Sequence, residues 1–339
     1  MVILFCKLER RVESLMNNTF AIGCLVQWYE IEMFSEYVKS LENSLSDINN
    51  TEKILIDFTL VINQDLEKID ESKMSMDLIQ QKFITMMESF KTKVNWRITD
   101  SLVTIADYRR QFNDKYCDMV DVLIWGESDS LLPKEMFQIL DNLHSFSMTN
   151  MDTKYLAFFG TCKMWDDSWK PIEHTKFTDK PVDNKKWWGT RYVTTIEEMN
   201  KINSDVDELD VRIVSPHKFN GCGLVISSEV IKSGVNIPKT VFFTHEDTSF
   251  NMMTNRVLGN IPQYIIKNVL LVHNREHPKK RMCVVGESGN TLGERRKSNN
   301  WYSVASKMSE QNCHNLFNNK HQSFSWKNVW DKIKQLEKK

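Results

Sequence analysis

The sequence predicts an α/β protein with a mostly parallel sheet flanked by helices. Two observations carry this expectation. Short apolar runs rich in β-branched and aromatic residues recur along the first half of the chain, and segments with apolar residues at three- and four-residue spacing lie between them. Strands separated by helices of this length pair in parallel, with helices on both faces, and place binding residues at the carboxyl ends of the strands.

The elements follow in order. Phe20 to Trp28, "FAIGCLVQW", reads as a buried strand, and Met33, Phe34, Tyr37, Val38, Leu41 and Leu45 then mark one face of a helix. Ile54 to Ile62 is a second strand, followed by a helix over 76–91, a strand over 94–98, a helix over 102–112 and a strand over 121–125. Tyr155 to Phe159 is another strand. A long polar and aromatic loop over 163–192 interrupts the alternation, as functional loops do. Regular signals return with "GCGLVIS" from Gly221, a helix after Thr244, and "YIIKNVLLVH" ending at His273.

Composition limits the function classes. The 339 residues are 41% hydrophobic and 26% charged, enough apolar mass for a large core. The opening "MVILFCKLERR" has too short an apolar run for a secretory segment, and no run is long enough to span a bilayer, so a soluble, cytoplasmic protein is expected. Seven scattered cysteines without a C-x-x-C pair argue against a disulfide framework and a zinc knuckle, and suit a reducing compartment. Charge is uneven: Lys267 to Lys339 hold 15 Lys or Arg against 6 Asp or Glu, leaving the first 266 residues at −10. A basic end suits a polyanionic partner or a solvated tail.

"VDVLIWGESDSLLP" carries the chemistry. Glu127 and Asp129 leave a buried-type strand, with Pro133 placed to open the next helix. Two hard oxygen ligands at a strand end suit a divalent cation that also holds a diphosphate. The triplets at Asp205 to Asp207 and Glu208 to Asp210 share the spacing but sit in a stretch that reads as solvated helix or loop.

The order of "FAIGCLVQWYE", "YRRQFN", "WGESDSLLP", "GCGLVIS", "THEDTSF" and "VHNREH" over residues 19–277 resembles the nucleotide-sugar glycosyltransferases of the GT-A type, a Rossmann-like fold, and in particular its large inverting family. The resemblance implies a GT-A domain over 1–277, with a donor half at about 19–130 and an acceptor half at about 150–277, then a basic C-terminal extension at 278–339. It implies metal ligation by Asp129, with Glu127 acting less directly because many members carry Asp there, and by His273. Arg109, Arg110 and Asn113 resemble the segment beside the donor, where a guanidinium fork matches pyrophosphate; a solvated helix face is the other reading. Gln27, Trp28, Tyr29, Glu30 and Asp57 resemble nucleoside-contacting positions. Asp247 stands where the family has its catalytic base, with Glu246 beside it. A base is needed because a hydroxyl attacks an anomeric carbon poorly until its proton is removed. Thr244, three residues before Asp247, also fits a capping box. The implied cofactors are Mn2+ or Mg2+ with a nucleoside-diphosphate sugar, UDP favoured, and the implied reaction is inverting hexosyl or pentosyl transfer.

Acceptor candidates come from the long loop, where Lys185, Lys186, Trp187, Trp188 and Arg191 interleave cations with rings. With the basic clusters at 279–281 and 295–297, they suit a hydroxymethylated base in DNA, a polysaccharide or a lipid-linked glycan. His277 is a weaker ligand candidate, because Pro278 opposes a helix aligning it with His273. Nucleotidyl transfer would want a glycine-rich phosphate loop near the start, and Walker A and dinucleotide fingerprints are absent. A non-catalytic binding protein on a transferase fold is the remaining alternative.

Overall fold

The computed structural model describes residues 3–7, 16–62, 75–161, 196–214, 221–273 and 301–338. Strands β1 (Ile3–Lys7), β2 (Phe20–Gln27), β3 (Ile54–Val61), β4 (Val94–Thr99), β5 (Val122–Trp125), β6 (Ser130–Leu131), β7 (Leu156–Thr161), β8 (Glu208–Val214), β9 (Val225–Ser227) and β10 (Gln263–His273) form one sheet. Its order is β1, β8, β10, β7, β9, β5, β2, β3, β4, with β6 paired to β10.

The half containing β5, β2, β3 and β4 is parallel throughout, as expected from strands joined through helices. The other half corrects the expectation of a mostly parallel sheet. β9 lies antiparallel between β5 and β7, and β8 is antiparallel to both β1 and β10, so the sheet is mixed. An apolar run does not record the direction from which a strand arrives, and β8 and β9 both follow the long loop that interrupts the alternation. β8 is itself a correction: Glu208 to Asp210, read as solvated helix or loop, begins a strand whose Leu209 and Val211 are buried.

Helices α1 (Ile31–Leu45), α2 (Met76–Ser89), α3 (Ile105–Tyr116) and α4 (Met136–Thr149) follow the strands of the parallel half. α5 (Ile196–Ser204), α6 (Ser228–Lys232), α7 (Glu246–Leu258), α8 (Trp301–Phe317) and α9 (Trp326–Leu336) complete the described helices. α3 starts three residues later than the periodicity suggests because Thr104 caps it, accepting from the Asp107 amide at 3.2 Å. α4 likewise starts at Met136 rather than at Pro133.

The burial of β2 shows why helices cover both faces. Phe20, Ile22, Cys24 and Val26 join one core cluster with Phe34, Tyr37 and Leu41 of α1, while Ala21 and Leu25 join another with Tyr108, Phe112 and Tyr116 of α3. Each large apolar side chain so buried contributes about 1.5–3 kcal/mol. Close approach of α3 depends on Gly23, where a Cβ would overlap the Phe112 ring and the Tyr108 hydroxyl. Trp301, Val304, Ala305 and Val329 bring α8 and α9 into the α1-side core. Among the described residues, no helix is long and apolar enough to cross a membrane.

On α4, His144 is buried with its Nδ1 3.0 Å from the Tyr155 hydroxyl. Burial lowers its pKa despite the nearby Asp121 and Asp141 charges. A histidine kept neutral by the fold stabilises it above the ordinary histidine range and loses that contribution as the unfolded form gains a proton. Melting temperature should therefore fall more steeply below about pH 6.5 in the wild type than in His144→Gln, as followed by scanning fluorimetry.

Candidate functional site

The site forms where β5 ends. Its four residues are fully buried, and the chain then turns so that Ser130 donates to the Glu127 carbonyl at 2.7 Å, a tight exit that holds Glu127 and Asp129 on the same side. Asp129 is 3% exposed. β6 pairs antiparallel with the end of β10, setting His273 opposite Ser130. This register closes the sequence gap: His273 Nε2 lies 2.8 Å from Glu127 Oε2 and 3.4 Å from Asp129 Oδ1. Burial alone would raise the Glu127 carboxyl, but His273 and then Arg109 hold it well below its ordinary range.

Arg109 occupies the centre of this assembly, 1% exposed, on the face of α3 that also buries Phe112, Asn113 and Tyr116. One terminal nitrogen donates to Glu246, and the other to Glu127 Oε1 at 2.8 Å and the Gly221 carbonyl at 2.9 Å. Its guanidinium lies 4.8 Å from the centre of the Trp125 ring, whose Nε1 donates to Asn113 Oδ1 at 2.9 Å. Burial opposes the charge, yet Glu127 and Glu246 raise the Arg109 pKa above its usual value. Gly221 has no room for a side chain, since a Cβ there would overlap the guanidinium.

The solvated-face reading of this helix does not hold for its geometry. Arg109 and Asn113 are buried structural groups, and Arg110 donates to the carbonyls of Ile237, Pro238 and Val241, tying down the loop before α7. None of the three lines the cleft. Asp57 also stands apart, accepting from Tyr116 at 2.6 Å, Lys115 at 2.7 Å and Tyr108 at 3.1 Å.

α7 begins with the acidic pair. Glu246 and Asp247 lie in its first turn, where the helix dipole favours negative charge. The expected capping box does not form: the N-cap is His245, and Thr244 donates instead to Ser306 of α8 at 3.2 Å. His245 adopts a left-handed conformation, φ 66°, which turns the chain into the helix without a side-chain cap. Asp247 is oriented by amides, accepting from Gly221 at 3.1 Å through one oxygen and from Thr248 through the other. Burial, then the Asp247 charge, raises Glu246 to about 7 against the pull of Arg109.

A cleft of about 210 Å³ unites these parts. Gln27, Tyr29, Glu30, Glu127, Asp129, Glu246 and Asp247 line it, whereas Trp28 is wholly buried and His273 sits behind its two carboxylates. Five carboxylates thus face one space, and among the described residues lining it there is no Lys or Arg. Phe243, Thr244, His245 and Tyr302 add to the wall, and of these Phe243, His245 and Tyr302 were not singled out by sequence. Only the adjacency of His245 to the acidic pair pointed towards them. Lys185, Lys186, Trp187, Trp188, Arg191, His277 and the basic clusters at 279–281 and 295–297 lie outside the described residues.

The donor set suits a hard divalent cation. Glu127 and Asp129 each place a carboxylate oxygen within 3.4 Å of His273 Nε2, and a cleft with this much negative charge favours a cation electrostatically. Glu127 is more central than expected, because its ligand atom also lies with those of Cys222 and His273 in a group spanning at most 4.8 Å. The soft Cys222 sulfur would shift preference towards zinc if it coordinated.

No family model matches the sequence, and no curated protein matches it. Among solved structures, the chain is similar to a crystal structure of TarS residues 1–349 from S. aureus, at 11% identity and TM-score 0.45 over 88% of this chain and 73% of that one. It is also similar to a crystal structure of a mycobacterial protein, at 9% identity and TM-score 0.43 over 86% and 75%.

Two substitutions test this geometry. Arg109→Met leaves buried Glu246 without its cation and should cost about 3–5 kcal/mol in denaturant unfolding, with Arg109→Lys recovering only part because an ammonium cannot span both Glu246 and Glu127. His245→Gly removes the left-handed penalty and should raise stability by about 1 kcal/mol.

Proposed function

We propose that this protein is a metal-dependent glycosyltransferase that moves a sugar from a nucleoside-diphosphate sugar, UDP favoured, to a hydroxyl acceptor with inversion. The observation that supports this best is the charge of the cleft: five carboxylates with no lining cation among the described residues. A diphosphate would be repelled there unless a divalent ion stood between them. Hydride transfer or Ser–His–Asp hydrolysis would not call for such a site.

In this reading Asp129, Glu127 and His273 hold the cation, which offsets charge on the departing diphosphate. Gln27, Tyr29 and Glu30 border the nucleoside. Asp247 takes the acceptor proton as the hydroxyl oxygen bonds to the anomeric carbon; the carbon–oxygen bond to the diphosphate breaks, and its electron pair leaves with the nucleotide. The Gly221 and Thr248 amides fix the Asp247 oxygens, so little reorganisation is needed. Glu246, anchored by Arg109 and partly protonated near neutral pH, limits repulsion beside the base.

Melting temperature is the first readout. One nucleotide of a UDP, GDP and CMP panel should raise it in the presence of manganese, by mass action, and Asp129→Ala should abolish the shift. Asp247→Asn should keep the shift while lowering turnover by about 10²-fold or more. Absence of a shift with every nucleotide would defeat the transferase reading, and tight binding without turnover would favour a non-catalytic binding protein.

A further inference from the structure

Helix α8 adds a wall to the cleft whose chemistry differs from the acidic floor. Tyr302, half-buried, faces the cleft beside Phe243, their ring centres 5.1 Å apart at 78°. The wall is fastened to the chain that leads into α7. Ser309 donates to the Thr244 carbonyl at 2.7 Å and accepts from the Phe243 amide at 3.2 Å, while Thr244 donates to Ser306 at 3.2 Å. These bonds fix the rings relative to Asp247, three residues beyond Thr244. Between them stands His245, held in its left-handed conformation and making no cap with its side chain. Its ring is one-third exposed and 3.8 Å from Glu310 of α8. Strained backbone of this kind persists where surrounding structure imposes it, and here it sets His245 on the wall of the cleft next to two carboxylates.

We infer that this wall is the acceptor subsite, with Tyr302 stacking on the face of a neutral saccharide ring and His245 hydrogen-bonding a ring hydroxyl. The role as acceptor site rests on the glycosyl-transfer reading, whereas saccharide binding does not. Aromatic rings with one or two convergent polar groups suit a ligand that has an apolar face and hydroxyl edges. Charge disfavours the alternative of a nucleic acid, whose phosphates would have to approach Glu30, Glu246 and Asp247 on this wall.

Two measurements test this. Free mono- and disaccharides are screened by ligand-observed saturation-transfer NMR, without metal or nucleotide. At least one should bind the wild type, lose its signal in Tyr302→Ala and keep it in Tyr302→Phe, with melting temperatures confirming that both variants fold. Binding of none, or binding unchanged in Tyr302→Ala, overturns the subsite. With donor and acceptor present, Tyr302→Ala should raise the acceptor KM roughly tenfold while leaving the manganese-dependent nucleotide shift intact. Equal loss of donor hydrolysis and transfer would make Tyr302 merely structural and overturn the proposal. A wild type that shows no nucleotide shift counts against the transferase reading alone, and the saccharide screen then still decides the subsite.

Discussion

The site depends on one buried guanidinium. Arg109 reaches from α3 to the exit of β5 through Glu127, to the start of α7 through Glu246, and to the Gly221 carbonyl before β9. Glu246 is buried and Glu127 has a side chain only 15% exposed; without the cation they share, their proximity would be strongly unfavourable. Its planar fork satisfies both carboxylates while the Trp125 ring supports its flat face. Three segments distant in sequence are thereby held together.

From that constraint follows a division of labour among the carboxylates. Glu246 and Glu127 turn oxygens inward to the arginine, whereas Asp129 and Asp247 border the cleft. Glu127 also meets His273, linking the arginine bridge to the convergent donor set. The proposed chemistry uses this arrangement: a cation on the Asp129 side, a base at Asp247, and a buried countercharge beneath both. The α8 wall completes the cleft with aromatic surface, and the bonds of Ser306 and Ser309 couple it to the same segment that positions the base.

Much of the fold was legible because its signals are local. The alternation over 20–125 set the parallel half, with boundaries displaced where a cap such as Thr104 decides the helix start. The antiparallel β8 and β9 were not legible as such, because strand direction depends on the path of the intervening chain. At the site, the acidic residues of "WGESDS" and "THEDTSF" do border one cleft, and their position at element ends was readable. Arg109 and Asn113 are buried, which the polar "YRRQFN" segment does not reveal. The capping box at Thr244 fails because a serine of α8 competes for its hydroxyl.

By itself, the sequence determined the alternating architecture, the elements that carry the acidic groups, and the chemical character of those groups, since periodicity and side-chain type are local properties. Tertiary structure alone decided that Arg109 faces inward, that His273 stands opposite Ser130, that His245 takes a left-handed backbone, and that Tyr302 joins the cleft. Each of these depends on pairings across large sequence separations, whose geometry is set by packing and burial rather than by neighbouring residues.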